Sequence, residues 1–441
     1  MSSILIESAK ILTKNDLTTA HILLEDGVIK RICKLRPITR ADETIHAEKL
    51  IAAPGLIDVH VHLRDMELGY KETFQTGTWA AAKGGYTSII DMPNTKPPTT
   101  NALRLEEKQN RAKGHIFTNL AFQAALVHDV DEVNRMKRSG AVAFKLYLNK
   151  SLETFNSSDK SVLCTALQAA KQSNSLVTIH AEDGDAIRRI QTESVASGKH
   201  SINDFLRAHS PSVEVTAVES ILELCNSLRV RAHICHITTP QAVRKVRTTG
   251  NSTCEATAHH LLLDQSVFKR HDTKAICVPP LRRAEYRRRL WNLFVTGEVD
   301  VLASDHAPHT LREKVTPDAW KAASGVPGLE TSLTVMLTQV FKGRLSLRRL
   351  IQASSTLPAM IFRLHAKGRL QIGYDADIVL IDPKARTTIE ARQFLSKAKY
   401  SPFEGMKCRG KAAHTIVNGH IVYQDGRIVG SPVGKILRSD S

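Results

Sequence analysis

Two histidines one residue apart, His60 and His62, have the type and spacing of a metal-binding pair. Side chains alternate between the two faces of a strand, so both imidazoles would project from the same face. The breaker pair Pro54-Gly55, followed by the apolar Leu56-Ile57, predicts that a buried strand carries them. Imidazole nitrogens bind zinc well, but two strand histidines satisfied by hydrogen bonds give the same pattern. Further ligands at equivalent places in the chain must decide between these interpretations.

The elements that would position such ligands form a repeated pattern. Eight apolar runs, each ending in polar or glycine residues, are separated by segments that are mostly long enough for a helix. Residues 73–84 and 213–228 are two such predicted helices. Strands alternating with helices predict an α/β fold, a (β/α)8 TIM barrel over residues 54–365. The predicted strands span residues 56–62, 87–92, 120–126, 143–148, 176–180, 230–237, 253–259 and 299–303.

Both ends of the chain carry hairpin signals instead. Asp26-Gly27 lies between two apolar runs, and Asp425-Gly426 follows another alternating stretch. Asp-Gly between such runs is a strong hairpin signal. We therefore expect residues 1–53 and 366–441 to build one small β-sandwich module from both termini.

Composition is typical of a soluble globular protein. Of 441 residues, 42% are hydrophobic and 24% charged, and the length exceeds one ordinary domain unless the domain is a barrel with additions. No apolar run reaches the roughly 18 residues of a membrane span. The N-terminus is charged too early for a secretory signal, and the seven cysteines are scattered without a Cys-x-x-Cys pair. A reducing, cytoplasmic location is expected.

The formal charge of +17 raises the question of a nucleic-acid partner. The densest basic stretch, residues 282–291, has the spacing of a solvated helix face with Leu290 and Trp291 turned inward. Aromatic residues make up only 5% of the chain, and no stacking platform is visible. Nucleic-acid binding is therefore not expected. A solvated surface is the simplest interpretation, and attraction of a small anionic substrate or an acidic partner protein is the alternative.

The C-terminal ends of the eight predicted strands carry polar residues suited to metal binding. In a parallel barrel these ends meet at one rim, where active sites lie. So many histidines beside an aspartate at one rim are not explained by structural hydrogen bonding. The residues at these ends are His60, His62, Asn94, Lys145, His180, Cys235, His236, Glu255, Asp305 and His309.

Lys145 is unusual because its predicted strand is apolar, which makes a protonated ammonium costly. A buried lysine can pair with a carboxylate such as Asp305 or Glu255, lose its proton, or be chemically modified. A neutral amine beside two metal ions can add carbon dioxide, and the two carbamate oxygens can then bridge the ions. The sequence alone leaves these routes open.

A two-metal site is the arrangement that these residues favour. Nitrogen and oxygen ligands with open positions suit zinc first, with manganese or cobalt as substitutes. Two ions about 3.5–4 Å apart generate a nucleophilic hydroxide at neutral pH. Carboxylated Lys145 would contact both ions. The remaining ligands are His60, His62 and Asp305 for one ion, and His180 and His236 for the other.

Nine segments carry the motifs of a known family, in the same order and over most of the chain. Among them are His60-Val61-His62-Leu63-Arg64, Phe144-Lys145-Leu146-Tyr147 and Asp305-His306-Ala307-Pro308-His309. The chain resembles the dihydroorotases of the amidohydrolase superfamily, in the group similar to the dihydroorotase domain of the animal multifunctional pyrimidine enzyme. The other segments are residues 91–95, 179–182, 233–236, 254–260, 326–331 and 401–405.

This resemblance implies reversible closure of N-carbamoyl-L-aspartate to L-dihydroorotate in pyrimidine synthesis. It also implies two zinc ions and a carboxylated Lys145, and all six of the family's metal-ligand positions are filled. Asp305 corresponds to the residue that carries the proton to or from the ring nitrogen. Arg64, Asn94 and His309 match the residues that hold the substrate's α-carboxylate.

The chain departs from the family pattern in two places. Val278 stands where a polar residue usually contacts substrate, so either Arg282 or Arg283 compensates or one contact is missing. In the loop after Lys145, Thr154-Phe155 comes three residues later than in relatives with a mobile catalytic loop, so we assign it no role.

Cys235 and Glu255 raise the question of a third zinc, because some relatives place one near this pair. The alternative is a small buried thiol beside a carboxylate that is hydrogen-bonded to a histidine such as His259.

Competing functions remain open at this point. Allantoinases and hydantoinases share the ligand set, although allantoinases tend to lack His309. A non-catalytic scaffold that binds aspartate transcarbamoylase is another class of answer, but such chains have usually lost metal ligands. We expect a homodimer or larger oligomer, and a transcarbamoylase partner stays open.

Overall fold

Seventeen strands are present in the residues that the computed structural model describes, which are 3–13, 16–38, 40–150, 152 and 157–439. They are β1 Ser3–Leu12, β2 Leu17–Glu25, β3 Val28–Cys33, β4 Glu43–His46, β5 Ile51–Pro54, β6 Leu56–Val61, β7 Tyr86–Asp91, β8 Asn119–Ala125, β9 Ala141–Tyr147, β10 Leu176–His180, β11 Arg231–Ile234, β12 Ser252–Thr257, β13 Val301–Ala303, β14 Ile378–Thr388, β15 Lys407–Val417, β16 His420–Gln424 and β17 Arg427–Ile428.

Strands β6 to β13 form one eight-stranded parallel sheet in which each strand pairs with its sequence neighbour. A parallel bridge between Val61 and His306 brings the two edges together, so the sheet closes into a barrel. Every residue of β6 to β10 is buried, as expected for parallel strands covered on both faces. The predicted (β/α)8 barrel is confirmed, with a strand in each predicted run.

Helices follow the barrel strands, and helix α1 shows how sequence sets their limits. Thr73 caps its N-terminus by accepting from the Thr76 amide, and the helix ends before Gly84, as predicted. Four 3₁₀ turns lie at Met66–Leu68, Gln265–Val267, Asp272–Ala275 and Ala391–Gln393, and a π-helical segment at Gln352–Thr356 joins α14 to α15. The α-helices in the described residues are α1 Phe74–Lys83, α2 Ala102–Ala112, α3 Val130–Arg138, α4 Lys160–Gln172, α5 Gly184–Ala196, α6 Ile202–Ala208, α7 Pro211–Leu228, α8 Pro240–Thr248, α9 Ala258–Leu262, α10 Phe268–His271, α11 Ala284–Thr296, α12 Leu311–Lys314, α13 Ser332–Phe341, α14 Leu347–Ile351 and α15 Leu357–Ile361.

The termini together build a β module, as expected, and this module is one mixed sheet rather than a two-sheet sandwich. Strands β1 to β5 and β14 to β17 belong to one mixed nine-stranded sheet around a shared apolar core. Asp26-Gly27 forms the β2–β3 hairpin, and Gly27 adopts a φ of +81°, a conformation that glycine tolerates well. The chain passes from β5 of this sheet directly into β6 of the barrel, so the module holds the first barrel strand.

The basic stretch lies mostly on helix α11. Leu290 is buried and Trp291 half-buried, whereas Arg288 is exposed, so this part matches the predicted solvated face. All seven cysteines are free. Among the described residues, none of the helices combines the length and apolarity needed to cross a membrane.

Candidate active site

Strand β6 and the segment after β13 bring two histidines and an aspartate together. His60 and His62 are 1% and 7% exposed, and Asp305 Oδ1 lies 3.4 Å from His60 Nε2 and 3.2 Å from His62 Nε2. One ligand-type atom from each of the three residues lies within 4.8 Å of the other two. Two imidazoles and a carboxylate at this separation can hold a zinc ion.

A second pair of histidines adjoins the first. His180 ends β10 and His236 follows β11, with 2.9 Å between His180 Nδ1 and His236 Nε2. The rings of His60 and His236 are 5.1 Å apart, so the two groups form one continuous cluster. His236 Nδ1 is buried and has no hydrogen-bond partner in the described part of the chain. Buried polar atoms are nearly always satisfied, so this nitrogen fits a ligand role.

Lys145 projects from β9 into the same region and is 1% exposed. Its Nζ lies 2.9 Å from Cys235 Sγ. Within the described residues it forms no ion pair with Asp305 or Glu255, the carboxylates that a structural lysine would need. Burying an ammonium group without a carboxylate partner is energetically costly, which sets Lys145 apart from an ion-paired structural lysine.

Glu255 on β12 orients His60. Its Oε1 lies 2.5 Å from His60 Nδ1, and its Oε2 lies 3.1 Å from His233 Nε2. Such a contact fixes the imidazole so that Nε2 faces Asp305. The histidine partners of this carboxylate are therefore His60 and His233, whereas His259 Nε2 has no described partner. One ligand-type atom from each of His60, Cys235 and Glu255 also lies within 4.8 Å of the other two, close enough to share an ion.

Arg64, Asn94 and His309 meet on one side of the cluster and line a cavity of about 300 Å³ with it. Arg64 Nη2 lies 3.2 Å from His309 Nε2, and Asn94 Oδ1 lies 2.7 Å from His62 Nδ1. Arg64 is 7% exposed and has no ion pair among the described residues; its Nε donates to Pro308 O at 3.4 Å. Burial lowers the pKa of Arg64 below its usual value.

His309 is held as a neutral imidazole. Burial, together with the nearby Arg64 and Lys71 charges, lowers the pKa of His309 to about 2. Its Nδ1 accepts from Lys71 Nζ at 3.0 Å, and its Nε2 donates to Ser324 O at 3.1 Å. A neutral ring beside Arg64 adds no second charge that would repel the guanidinium.

Three site residues have unusual backbone conformations. Arg64, His236 and Asp305 adopt φ values of +61°, +34° and +44°. Non-glycine residues in this region cost about 1–3 kcal/mol each and cluster at functional sites.

Burial would raise the pKa of Asp305, but His60 and His62 beside it outweigh burial and hold this pKa well below its usual range.

Residues 51–422 match the amidohydrolase family. The chain belongs to this family. It is 37% identical to a dihydroorotase of Methanosphaera stadtmanae, covering 97% of this chain and 98% of that protein. It is also 32% identical to an L-hydantoinase of Paenarthrobacter aurescens, over 97% and 96% of the two chains. A solved structure of L-hydantoinase (dihydropyrimidinase) from Arthrobacter aurescens superimposes with a TM-score of 0.95 at 32% identity, covering 99% and 100%.

These relatives identify the protein as a cyclic amidohydrolase and confirm the resemblance noted from the motifs. Of the lining residues of this amidohydrolase that had no assigned role, Tyr147, Asn149 and Lys150 come from the end of β9 and the segment after it. Asn149 Nδ2 lies 2.7 Å from His180 Nε2, and Lys150 Nζ lies 4.8 Å from the centre of the Tyr147 ring. The alternation that places Lys145 toward the site also points Tyr147 there, so the signal for Tyr147 was present. Thr154 and Phe155 lie outside the described residues.

Two buried carboxylates that sequence reasoning gave no role support the ligands of the amidohydrolase. Glu182 Oε2 lies 2.9 Å from His180 Nε2. Asp58 Oδ1 accepts from the amides of His60 and Ser304, both at 3.1 Å. Each carboxylate stands two positions from a histidine, and on strand β6 this spacing puts Asp58 on the same face as His60, which is the signal that could have found it.

Val278 lines the cavity, and neither nearby arginine replaces the missing polar contact. Arg282 is buried, but its Nη2 lies 3.0 Å from Glu214 Oε2 and its Nε donates to Thr238 Oγ1 at 2.8 Å. Arg283 is exposed and does not line the cavity. The site of the amidohydrolase is therefore apolar at Val278.

Proposed function

We propose that the protein is a dihydroorotase that interconverts N-carbamoyl-L-aspartate and L-dihydroorotate. The observation that carries this proposal is Arg64, a buried guanidinium that faces the candidate metal ligands without a described carboxylate partner. A buried charge is stable only when it is compensated. The α-carboxylate of dihydroorotate supplies that charge, whereas the ring of unsubstituted hydantoin carries none. Asn94 and His309 line the same cavity as Arg64 and would orient the same group.

The donor set supports two zinc ions. His60, His62 and Asp305 would hold one ion, and carboxylated Lys145 would contact both. His180 and His236 would hold the second ion. Bound zinc supplies a water activated at neutral pH and polarises the amide carbonyl. The lysine without an ion pair and the unpartnered His236 nitrogen support this assignment.

Asp305 would move the proton. In the cyclisation direction its carboxylate accepts the ureido N–H proton, and in hydrolysis it returns this proton to the ring nitrogen that leaves. Its contacts with His60 and His62, and its presence in the lining of the cavity that Arg64 also lines, support this role. The reaction is therefore assigned to one proton-transferring residue in both directions.

Hydantoin hydrolysis is the second candidate function. The solved structures that superimpose on the chain include an L-hydantoinase, and Val278 gives the cavity an apolar wall. An apolar wall suits a hydantoin with a hydrophobic substituent. Arg64 favours dihydroorotate, because a neutral hydantoin ring would leave the buried charge of this arginine uncompensated.

A parallel substrate assay tests the proposal. The zinc-loaded enzyme is offered L-dihydroorotate, hydantoin and allantoin, and kcat/KM is measured for each. We expect dihydroorotate to be the preferred substrate, and Arg64→Met to lower its kcat/KM by about 100-fold or more through loss of charge-assisted hydrogen bonds. Arg312→Met, which removes an exposed arginine three residues beyond His309, is the matched control and should leave the rate unchanged. Turnover of hydantoin or allantoin without dihydroorotate would refute the proposal.

A further inference from the structure

A second cavity, of about 590 Å³, lies between helix α13 and the paired strands β14 and β15. It shares no lining residue with the candidate active site. Four of its nine lining residues are cationic, Lys342, Arg386, Lys407 and Arg409, and none is acidic. We call this cavity the basic groove. Its volume falls within the roughly 300–1,000 Å³ of small-molecule sites.

The strand register places three of these charges on one face. In the antiparallel pair of β14 and β15, Arg386 lies directly opposite Arg409, and Thr388 lies opposite Lys407. Residues two apart on a strand share a face, so the three cations and Thr388 all point to the same side of the sheet. Like charges directly opposite each other destabilise a sheet. This arrangement is therefore unfavourable in the absence of an anion.

Within the described part of the chain, no carboxylate forms an ion pair that would relieve this repulsion. Among the described ion pairs, none involves Lys342, Arg386, Lys407 or Arg409, and three of the four side chains are exposed. Arg409 is instead fixed by the protein. Its Nε donates to Pro383 O at 3.1 Å, and its guanidinium lies 4.9 Å from the centre of the Phe341 ring. One cation is thus held in position while the others stay available.

We propose that the basic groove binds a small polyphosphate, such as inorganic triphosphate or the triphosphate of a nucleotide. Guanidinium groups match phosphate oxygens with paired hydrogen bonds, and the hydroxyl of Thr388 adds a donor on the same face. Four cations in one groove suit several linked phosphates better than a single one. A nucleic acid is the less suitable ligand because Phe341 is the one aromatic residue among the lining residues, and Arg409 already lies over its ring.

Calorimetric titration of the zinc-loaded enzyme with sodium triphosphate and, separately, with ATP at low salt tests this proposal. We expect one ligand per chain, and we expect Arg386→Glu and Lys407→Glu each to weaken binding by about tenfold or more. Arg288→Glu makes the same charge change on the exposed face of helix α11 and should leave the affinity within about twofold. Equal affinities for triphosphate and ATP would show that the phosphates alone are recognised, and tighter ATP binding that the nucleoside contributes; both support the groove.

The variants also report on their own folding. The carboxylate that Arg386→Glu introduces would face Arg409, so this variant should melt no lower than wild type and should keep its amidohydrolase rate. Equal triphosphate affinity in wild type and in both groove variants would place the ligand elsewhere and overturn the proposal. No measurable binding at millimolar triphosphate would overturn it too, as would displacement of triphosphate by a short single-stranded RNA at lower concentration.

Discussion

Buried lysines in this protein are satisfied in different ways. Lys108 Nζ lies 2.6 Å from Asp91, and Lys367 Nζ lies 2.6 Å from Asp377, whereas Lys314 Nζ donates to two backbone carbonyls. Lys145 has neither kind of partner among the described contacts, although its 1% exposure equals that of Lys108; its Nζ lies beside Cys235 Sγ. Carboxylation would explain why Lys145 lacks a carboxylate partner, because it removes the positive charge of the amine and the resulting anion is neutralised by metal.

Replacing Lys145 tests this interpretation. In Lys145→Ala we expect the zinc content to fall below that of wild type and the turnover of dihydroorotate to drop by about 1,000-fold or more, because both proposed ions lose a shared ligand. Metal is counted by mass spectrometry of the dialysed protein, and kcat is measured in parallel. Lys150→Ala removes a lysine that lines the same cavity but is not a proposed ligand, so it should keep its metal. Wild-type metal content in Lys145→Ala would contradict the bridge.

At the level of elements, sequence periodicity predicts which strand ends meet, but not which side chains pair across the barrel. Strand β6 could be placed from His60 and His62, because apolar runs and breakers are local signals. The contact between His60 and Glu255 joins residues 195 positions apart, and that between Asp58 and Ser304 joins residues 246 apart. Such contacts depend on how the sheet closes, which no local pattern encodes.

The departures from expectation have the same origin. The sequence left open whether Arg282 or Arg283 replaces the contact missing at Val278. The actual partner of Arg282, Glu214, lies on helix α7, 68 positions away. A buried arginine is recruited by whichever carboxylate the fold places near it, and sequence cannot identify that carboxylate.

Lys314, at the end of helix α12, holds the segment after β13 in place through hydrogen bonds, and this segment carries His309. The Lys314 amine is fully buried and donates to Ile276 O and Ala323 O, both at 2.7 Å. Burial lowers the pKa of Lys314 from its usual 10.5 to about 7. A neutral amine still has two N–H groups, which is enough to satisfy both carbonyls.

A pH-dependent stability follows from this amine. Between about pH 7 and about pH 10.5 the unfolded chain binds a proton that the folded chain does not, so stability from this group rises with pH by up to about 1.4 kcal/mol per unit. Below about pH 7 both states are protonated and the contribution is constant. The unfolding free energy of wild type minus that of Lys314→Met should therefore rise by about 2 kcal/mol between about pH 7 and pH 9.

Urea unfolding at a series of pH values measures this difference. Lys321→Met is the matched control, because Lys321 lies on the same segment with a side chain that is 79% exposed. Its difference from wild type should not change over this pH range. A Lys314→Met difference that is equally flat would show that the amine stays protonated in the folded protein.

At the scale of the whole molecule, one buried carboxylate joins the barrel to the terminal sheet. Asp377, just before β14, accepts from Asn119 Nδ2 of barrel strand β8 at 2.9 Å and from the Asn418 amide of the terminal sheet at 2.8 Å. Lys367 Nζ lies 2.6 Å from the same carboxylate. Because the sheet holds β5, which leads directly into β6, weakening this junction should loosen the strand that carries His60.

Substitutions at the two carboxylates that contact Lys367 distinguish the contribution of the junction from that of an ordinary ion pair. Asp377→Asn replaces an accepting oxygen with an NH2 group that would face other hydrogen-bond donors. We therefore expect this substitution to lower the unfolding free energy by about 3 kcal/mol. Asp375 contacts the same lysine at 2.7 Å, but its side chain is 33% exposed and has no role at the junction. Asp375→Asn should therefore cost less than about 1 kcal/mol, since water replaces the lost contact. Urea unfolding followed by tryptophan fluorescence measures both losses. Equal losses would mean that Asp377 contributes only its ion pair, and that the barrel and the terminal sheet are held together by apolar packing.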